Sequence, residues 1–332
     1  MGHFGGKKLK LIYVLKGKTQ NNTFKLFVKY NMKIAAIDLG TNTFHLIIAE
    51  QNGTELEIIY KTNQPVKLGE DITKDNLIIP AAFERGINCL KQFKEELDQH
   101  HIVNLKATAT SAVRSAINGQ DFVTAAKAEA GIEIDIIDGD EEAQLIYEGV
   151  KLSGAITGKS LIMDIGGGST EFILCDEENL IWKKSYNIGA ARLMQGFFKS
   201  DPINEIDQQK IQQHVANELK ALKVICEEYK PETLIGSAGA FETFAQMLLP
   251  ELDIKTISTA EISFAAYQNL ATKLISSSHQ ERAKMDNLIP LRVDMIVMAT
   301  LLTNYVLNEF NINNIKLSTY DLKMGVLQSL RD

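Results

Sequence analysis

A residue pattern that occurs twice constrains this chain more than any other feature. Residues 37–47 and residues 163–173 both contain an apolar stretch that ends in aspartate, a glycine two positions later, small polar residues, and a second apolar stretch. The aspartates Asp38 and Asp164 lie 126 positions apart, which is the length of a domain. The repeat therefore predicts two similar domains that face each other.

The turn in each copy is suited to binding an anion. Gly40 opens the first turn, and Gly166, Gly167 and Gly168 form the second, where a ligand can approach the backbone closely. Consecutive N–H groups in such a turn make a nest for an anion. Further donors come from small polar side chains, namely Thr41, Asn42, Thr43, Ser169 and Thr170. Ordinary hairpin turns use the same residue types, but two matched copies favour a phosphate chain held between the domains.

Aspartates at the ends of apolar strands need a reason to be there. A carboxylate in such a place is costly unless it binds a metal or caps a turn. Mg²⁺ prefers one or two carboxylates together with waters and phosphate oxygens. Asp164 is the better metal candidate of the two aspartates because Glu171 lies across its hairpin. Capping of the turn is the alternative role for both.

Acidic residues 140–142 lie at the start of a predicted helix, where negative charge stabilises the helix dipole. Glu142 could instead face the ligand and accept a proton from water as a general base. Hydrolysis of a phosphoanhydride needs mainly an in-line water, charge neutralisation and positioning. Spacing alone does not decide between these two roles.

Two arginines are candidates for phosphate binding. Arg114 lies on a helix that follows a predicted strand, and its planar guanidinium suits bidentate contact with phosphate. Arg292 is a similar candidate. Each could instead form a surface ion pair, and Asp294 is the expected partner of Arg292 in that case. Gly239 belongs to a third small-residue loop, 236–240, that could face a phosphate or a nucleotide.

Composition and length limit the class of protein. The chain has 332 residues, of which 45% are hydrophobic and 23% charged, as expected for two globular domains. No apolar run approaches the roughly 18 residues of a membrane helix, so no membrane partner is expected. The three cysteines are widely spaced and form no metal-binding pattern, which favours a reduced cytoplasm; they are Cys89, Cys175 and Cys226.

Charge is distributed unevenly along the chain. Residues 1–31 hold seven lysines and no acid, so the formal charge of −7 becomes −14 when they are left out. An acidic body argues against nonspecific nucleic-acid binding. We interpret residues 1–31 as a disordered tail or a spurious upstream start, because Met32 directly precedes the first strand of the repeat. A genuine basic arm is the alternative.

Strand and helix patterns alternate in both halves, which predicts an α/β fold. Apolar periodicity predicts helices over 80–99, 291–309 and 320–330. Alternation of residue types predicts a strand over 133–137, followed by a helix from residue 139. A glycine–hydroxyl turn and a returning strand then start the second half, from residue 160 onward.

Several segments together resemble the exopolyphosphatase and guanosine pentaphosphate phosphatase family, within the actin–hexokinase–heat-shock ATPase superfamily. The resemblance runs from residue 32 to the C-terminus. It is carried by the two turns, by Ala-Thr-Ser-Ala-Val-Arg at 109–114, and by Gly-Asp-Glu-Glu-Ala at 139–143. The second turn, Asp-Ile-Gly-Gly-Gly-Ser-Thr-Glu at 164–171, matches completely. Threonines at 41 and 43 stand where the family often has serine.

The resemblance implies a fold of two actin-like (ribonuclease H-like) domains with a cleft between them. The first domain would span 32–152 and include the C-terminal helix in 317–332, and the second would span 153–316. It further implies that Glu142 activates water, that Asp164 and Glu171 organise Mg²⁺ and the water, and that Arg114 and the turns hold the phosphates. Glu142 and Asp164 would be the residues nearest the metal.

The function that this resemblance implies is hydrolysis of the terminal phosphoanhydride of inorganic polyphosphate, with Mg²⁺, in the cytoplasm. Conversion of guanosine pentaphosphate to guanosine tetraphosphate is a close alternative. A nucleotide-binding regulator or ATPase with the same cleft, or an ATP-dependent kinase, are alternatives of other classes. Family members often form homodimers, so a homodimer is a further expectation, and the chain looks like the short form without an additional helical domain.

Overall fold

A computed structural model of the chain describes residues 32–53, 55–237 and 239–331. The basic segment 1–31 lies outside the described residues, so the predictions about it stay untested. Eleven strands form two sheets in this described part. The strands of the first sheet are β1 (Met32–Leu39), β2 (Thr43–Asn52), β3 (Glu55–Pro65), β4 (Asn104–Ala109) and β5 (Asp135–Ile136). Those of the second are β6 (Ser160–Ile165), β7 (Thr170–Cys175), β8 (Leu180–Tyr186), β9 (Thr233–Ser237), β10 (Thr259–Ile262) and β11 (Asn314–Ser318).

The two sheets share one topology, as the sequence repeat predicts. The first has the order β3-β2-β1-β4-β5, and the second has the matching order β8-β7-β6-β9-β11 with β10 added at its edge. In each sheet the first three strands are antiparallel neighbours, and the next strand runs parallel to the first. Both repeated turns therefore join the first and second strands of their sheets, at the same end of the sheet.

Helices cover the sheets and connect their strands. Ten of them are α1 (Ile72–Asp75), α2 (Pro80–Gln99), α3 (Ser111–Ser115), α4 (Gly119–Ala125), α6 (Ala190–Phe197), α7 (Glu205–Glu218), α8 (Lys220–Tyr229), α9 (Gly239–Leu248), α10 (Phe264–Ser276) and α11 (His279–Arg282). The remaining three are α5 (Gly139–Ser153), α12 (Met295–Glu309) and α13 (Leu322–Ser329). The α/β architecture expected from the sequence is confirmed.

Helices α5 and α13 pack tightly against each other beside both sheets. A Cβ added to Gly149 would lie 2.1 Å from the Asp321 carbonyl oxygen, and one added to Gly325 would lie 1.8 Å from the Leu145 carbonyl oxygen. The two helices share a hydrophobic core with strands of both sheets, including Ile34 of β1 and Ile162 of β6. The C-terminal helix thus returns to the part of the molecule that carries α5.

Element boundaries differ from the sequence predictions in three places, one of which is the helix predicted over 320–330, which spans only Leu322–Ser329. The helix predicted to start at residue 291 begins at Met295, because Pro290–Arg292 forms a separate 3₁₀ turn. The strand predicted over 133–137 is reduced to Asp135–Ile136 at the edge of the first sheet. The helix predicted over residues 80–99 is confirmed with both boundaries.

The three cysteines are buried and form no disulfide with one another, so each packs as a small apolar side chain. Burial raises the pKa of each thiol to about 12. Across the described ranges, no helix has both the length and the apolar composition needed to cross a membrane.

Candidate active site

The first repeated turn is held from behind by backbone hydrogen bonds. The Gly40 amide donates to the Thr43 carbonyl over 3.2 Å and closes the hairpin. The amide of Gly69 donates to the Thr41 carbonyl (2.9 Å), and the amide of Lys67 donates to the Asn42 carbonyl (2.8 Å). Glycine is needed at position 40, since an added Cβ would lie 2.9 Å from the Thr43 carbonyl oxygen.

The second turn is held in the same way by the segment that follows the third strand of its sheet. Its three glycine carbonyls accept hydrogen bonds from amides at the start of α6. Ala190 donates to Gly166 (2.9 Å), and Arg192 donates to Gly167 (3.0 Å). The amide of residue 189 donates to Gly168 over 3.2 Å. Because these carbonyls are engaged by α6, the turn is fixed in one orientation.

The carbonyl contacts leave the turn amides available. In the described residues, the amides of Gly167 and Gly168 donate no backbone hydrogen bond, and neither do those of Thr41 and Asn42. Successive N–H groups without backbone acceptors are the components of an anion nest. The two turns also touch, since a Cβ on Gly167 would lie 2.5 Å from Asn42 Nδ2. Both repeated turns therefore contribute to one site.

Asp164 and Glu171 are neighbours across the β6–β7 hairpin, as expected from their spacing. Glu171 is 1% exposed and accepts a 2.6 Å hydrogen bond from the Ser185 hydroxyl on β8. Burial raises the pKa of Asp164 to about 8, and nearby Asp321 adds to the rise. Burial also raises the pKa of Glu171 well above its usual value, with Glu142 and Asp164 as further causes. The three acidic candidates therefore lie within electrostatic reach of one another.

Glu142 lies in the first turn of α5, and its side chain points into the interior. Asp138 caps this helix, accepting hydrogen bonds from the amides of Asp140 and Glu141 at 2.9 and 2.8 Å. The cap thus serves the helix N-terminus, and Glu142 is buried with 6% of its surface exposed. Burial raises the pKa of Glu142, whereas Arg114 lowers it.

Arg114 is the cation next to Glu142. Its Nη1 donates to Glu142 Oε2 over 2.8 Å and to the Ile137 carbonyl over 3.0 Å. The surface ion pair considered from the sequence is therefore wrong, since the Glu142 side chain is only 8% exposed. Helix α3 carries Arg114 from the end of β4, whereas Glu142 follows β5, and these two strands are parallel neighbours.

A buried Asp–Lys pair lies beside these acids and was not anticipated from the sequence. Lys323 of α13 pairs with Asp321, the N-cap residue of the same helix. Burial disfavours the charged ammonium of Lys323, but Asp321 and Asp38 outweigh this effect and raise its pKa. Burial raises the pKa of Asp38 to about 7, and Lys323 opposes that rise. No local sequence pattern connects Asp38 with a helix near the C-terminus.

Arg292 lies on the side of α9, next to Gly239. Its Nη1 donates to the Thr243 hydroxyl over 2.7 Å, and Glu242 is 3.9 Å away. A Cβ on Gly239 would lie 2.4 Å from Arg292 Nη2, so glycine makes room for the guanidinium. The structure gives no direct contact between Arg292 and Arg114 or Glu142.

The expected ion pair between Arg292 and Asp294 is wrong. Asp294 accepts instead from Arg282 (3.1 Å) and contacts His279 Nδ1 (2.7 Å). Arg282 is fully buried and also pairs with Asp201 over 2.9 Å. A fully buried guanidinium requires such partners, which explains why Asp294 is committed to it.

The remaining polar candidates support the turns. The side-chain amide of Asn42 donates to the Met295 sulfur over 3.0 Å, and the Thr170 hydroxyl donates to the Ile188 carbonyl over 3.2 Å. A hydrogen bond from Ser169 partly opposes the rise in the pKa of Glu171. Thr43 begins β2 at the edge of the first turn.

The acidic groups can be tested for their fit to Mg²⁺. In the part of the chain that the structure describes, no three histidine, cysteine, aspartate or glutamate side chains form a complete metal site. Mg²⁺ does not require one, because it keeps several waters and takes phosphate oxygens as ligands. The buried carboxylates could supply one or two Mg²⁺ ligands, and the neighbouring turn amides could hold the phosphate whose oxygens complete the coordination. Asp164 and Glu142 would supply the protein ligands.

The Ppx/GppA phosphatase family matches residues 46–332 of this chain. A crystal structure of an exopolyphosphatase from Cytophaga hutchinsonii superposes with a TM-score of 0.87 at 36% identity, covering 90% of this chain and 97% of that one. The Aquifex aeolicus member of the family gives a TM-score of 0.76 at 25% identity, with coverages of 90% and 97%. The actin-like fold expected from the sequence is thereby confirmed.

Curated relatives agree with the structural comparison. A Haemophilus influenzae protein, provisionally named exopolyphosphatase, is 31% identical over 90% of this chain and 91% of its own length. The guanosine-5'-triphosphate,3'-diphosphate pyrophosphatase of Aeromonas salmonicida is 26% identical over 89% of this chain, which spans only 59% of that protein. This chain belongs to the Ppx/GppA phosphatase family.

Proposed function

We propose that this protein hydrolyses the terminal phosphoanhydride bond of inorganic polyphosphate, with Mg²⁺, using Glu142 as the general base. The observation that carries this proposal is the position of the Glu142 carboxylate. It is buried, it is fixed by Arg114 at 2.8 Å, and it lies in the electrostatic field of Asp164 and Glu171. A carboxylate with a raised pKa is suited to accept a proton near neutral pH.

In the reaction, Glu142 accepts a proton from a water molecule as the water oxygen bonds to the terminal phosphorus. The bridging P–O bond breaks, and the products are orthophosphate and a chain shortened by one phosphate. Arg114 orients the carboxylate of Glu142, and the amides of the two turns stabilise the phosphoryl oxygens. Mg²⁺ bound at Asp164 would neutralise charge that develops on these oxygens.

One feature favours hydrolysis over transfer to an acceptor. The buried carboxylate of Glu142, at the start of α5, lies within electrostatic reach of Asp164 and Glu171. The likeness to the exopolyphosphatase of Cytophaga hutchinsonii favours polyphosphate as the substrate of this chain. That protein is 36% identical to this chain, and the match covers 97% of its length. Guanosine-5'-triphosphate,3'-diphosphate is the second candidate, because relatives named for it share 26% identity with this chain.

Orthophosphate release by the purified protein tests this function. Polyphosphate, guanosine-5'-triphosphate,3'-diphosphate and ATP are offered in parallel with Mg²⁺, and kcat/KM is compared. We expect the highest kcat/KM on polyphosphate and at least about tenfold less on ATP. Orthophosphate release from the guanosine nucleotide alone would identify that nucleotide, and not polyphosphate, as the substrate. Release from none of the three would refute the proposed hydrolase activity.

A further inference from the structure

Arg192 places a guanidinium at the second repeated turn without an acidic partner. Its Nε donates to the Gly168 carbonyl over 3.0 Å, and its backbone amide donates to the Gly167 carbonyl. These bonds fix the arginine on the turn and leave its terminal Nη groups without a hydrogen bond or ion pair to any described residue. Burial lowers the pKa of Arg192.

Ser111 brings an unused hydroxyl to the same place. It is 3% exposed, and its Oγ has no hydrogen-bond partner among the described residues. A Cβ added to Gly168 would lie 2.5 Å from Ser111 Oγ and 2.8 Å from Thr41 Oγ1, so both hydroxyls point at the second turn. A buried hydroxyl without a partner is unfavourable, and native structures rarely keep one without a reason.

A small cavity joins these groups, and we call it the junction cavity. It lies between the two turns and is too small to admit a water molecule; its lining includes Thr41, Ser111, Gly167, Gly168, Arg192 and Gln195. The reaction-centre acids Glu142, Asp164 and Glu171 are not part of this lining. Its donors comprise a guanidinium, two hydroxyls and turn amides, and its lining contains no carboxylate. Such a donor set matches a phosphoryl oxyanion.

We propose that Arg192 and Ser111 form a phosphate subsite at the junction cavity, whose lining does not include the proposed base Glu142. The subsite binds one phosphoryl group through the Arg192 guanidinium and the Ser111 hydroxyl. The cavity is narrow in this structure, so the two turns must separate to admit the group. This inference rests on the proposed function for its ligand, which is either a phosphate of the bound chain or the released orthophosphate.

Direct binding tests the subsite without relying on turnover. Calorimetric titration with tripolyphosphate and with orthophosphate is performed on the Glu142→Gln protein, alone and combined with Arg192→Gln, Arg192→Lys or Ser111→Ala. We expect Arg192→Gln to weaken binding at least tenfold and Arg192→Lys to weaken it less, because the charge is retained. Lys199→Gln is the matched control, since it removes an exposed positive charge just beyond α6; its affinities should stay within about twofold of the parent.

Ser111→Ala separates a binding role from a structural one. The hydroxyl has no protein partner to lose, so the melting temperature should stay the same or rise while phosphate affinity falls. Weaker binding of tripolyphosphate alone would assign the subsite to the substrate chain. Weaker binding of orthophosphate as well would assign it to the product.

The subsite is refuted if Arg192→Gln and Ser111→Ala bind both ligands as tightly as Lys199→Gln does. That result differs from failure of the proposed function. If tripolyphosphate binding depends on Arg192 but the wild-type protein, which retains Glu142, releases no orthophosphate, hydrolysis is refuted and the subsite is retained. Should Arg192→Gln fail to fold, Arg192→Lys and Ser111→Ala decide the question.

Discussion

The Arg114 guanidinium donates to the Glu142 carboxylate over 2.8 Å at a site where the carboxylate is almost fully buried. Burial raises the pKa of Glu142, and Arg114 opposes that rise. Removal of only one partner from a buried ion pair destabilises the folded protein, because the other charge is left buried and unpaired. Arg114 is thus coupled both to the protonation of the proposed base and to stability.

Replacement of Arg114 by glutamine should shift the acidic limb of the pH–rate profile to higher pH. Without the cation, the pKa of Glu142 rises further, and the ionised base is lost at a higher pH than in the wild type. Activity at neutral pH should fall about tenfold or more. A profile of kcat/KM between pH 5 and 9 measures the shift. An unchanged acidic limb would show that Arg114 does not act on the base.

Replacement of Asp164 by asparagine should change how stability depends on pH in metal-free protein. The folded pKa of about 8 lies above the ordinary value of 3.8, so the folded state favours the protonated carboxyl at pH values below about 8. The unfolded chain loses its proton near pH 4, and this group's contribution to stability therefore declines as pH rises from about 4 to 8. Asparagine removes that decline.

The difference in melting temperature between Asp164→Asn and wild type should therefore grow in favour of the variant between pH 5 and pH 8. We expect a gain of at least about 3 °C at pH 8, since 1 kcal/mol shifts a protein of this size by roughly 2–4 °C. Added Mg²⁺ should stabilise the wild type at pH 8 and leave the variant unchanged. A constant difference across this range would contradict the raised pKa.

Replacement of Gly168 by alanine should reduce activity, because the added methyl would lie 2.5 Å from Ser111 Oγ and 2.8 Å from Thr41 Oγ1. The turns would be displaced from each other, and a loss of about 10²-fold in kcat/KM is expected from such misplacement. Gly196→Ala is the matched control, since nothing lies within 4 Å of its added Cβ on α6. Equal activity of the two variants would show that close contact between the turns is unnecessary.

Replacement of Arg282 by methionine should destabilise the fold without acting on chemistry. This guanidinium is fully buried, pairs with Asp201 and Asp294, and holds the segment that precedes α12. Loss of one partner from such a cluster costs about 3–5 kcal/mol. Arg292→Gln is the comparison, because its smaller contacts predict weaker substrate binding with little loss of stability. Urea unfolding and KM separate the two effects.

Local patterns predicted the parts of this site that depend on nearby residues. The two turns, the Asp164–Glu171 pair and the position of Glu142 at a helix start all follow from spacing within a hairpin or a helix turn. Glu142 as a base, in contrast, depended on family resemblance, since acids at helix starts usually serve the helix dipole.

Contacts made by packing of distant segments could not be predicted from one sequence. Arg192 reaches the second turn only because α6 packs behind it, and Lys323 reaches Asp38 because the C-terminal helix returns beside α5. Asp294 was assigned to Arg292 by proximity in sequence, whereas the fold places the buried Arg282 beside it. In each case the partner is set by tertiary geometry rather than by spacing.

The most direct test of the central claim is orthophosphate release from polyphosphate by wild type and Glu142→Gln protein with Mg²⁺, with tripolyphosphate binding measured on both. The account predicts that kcat falls about 10²–10⁴-fold while the binding constant stays within about threefold. Glutamine preserves the size of the side chain and removes its ability to accept a proton. Release by the variant within tenfold of wild type would contradict the assignment of Glu142 as the general base.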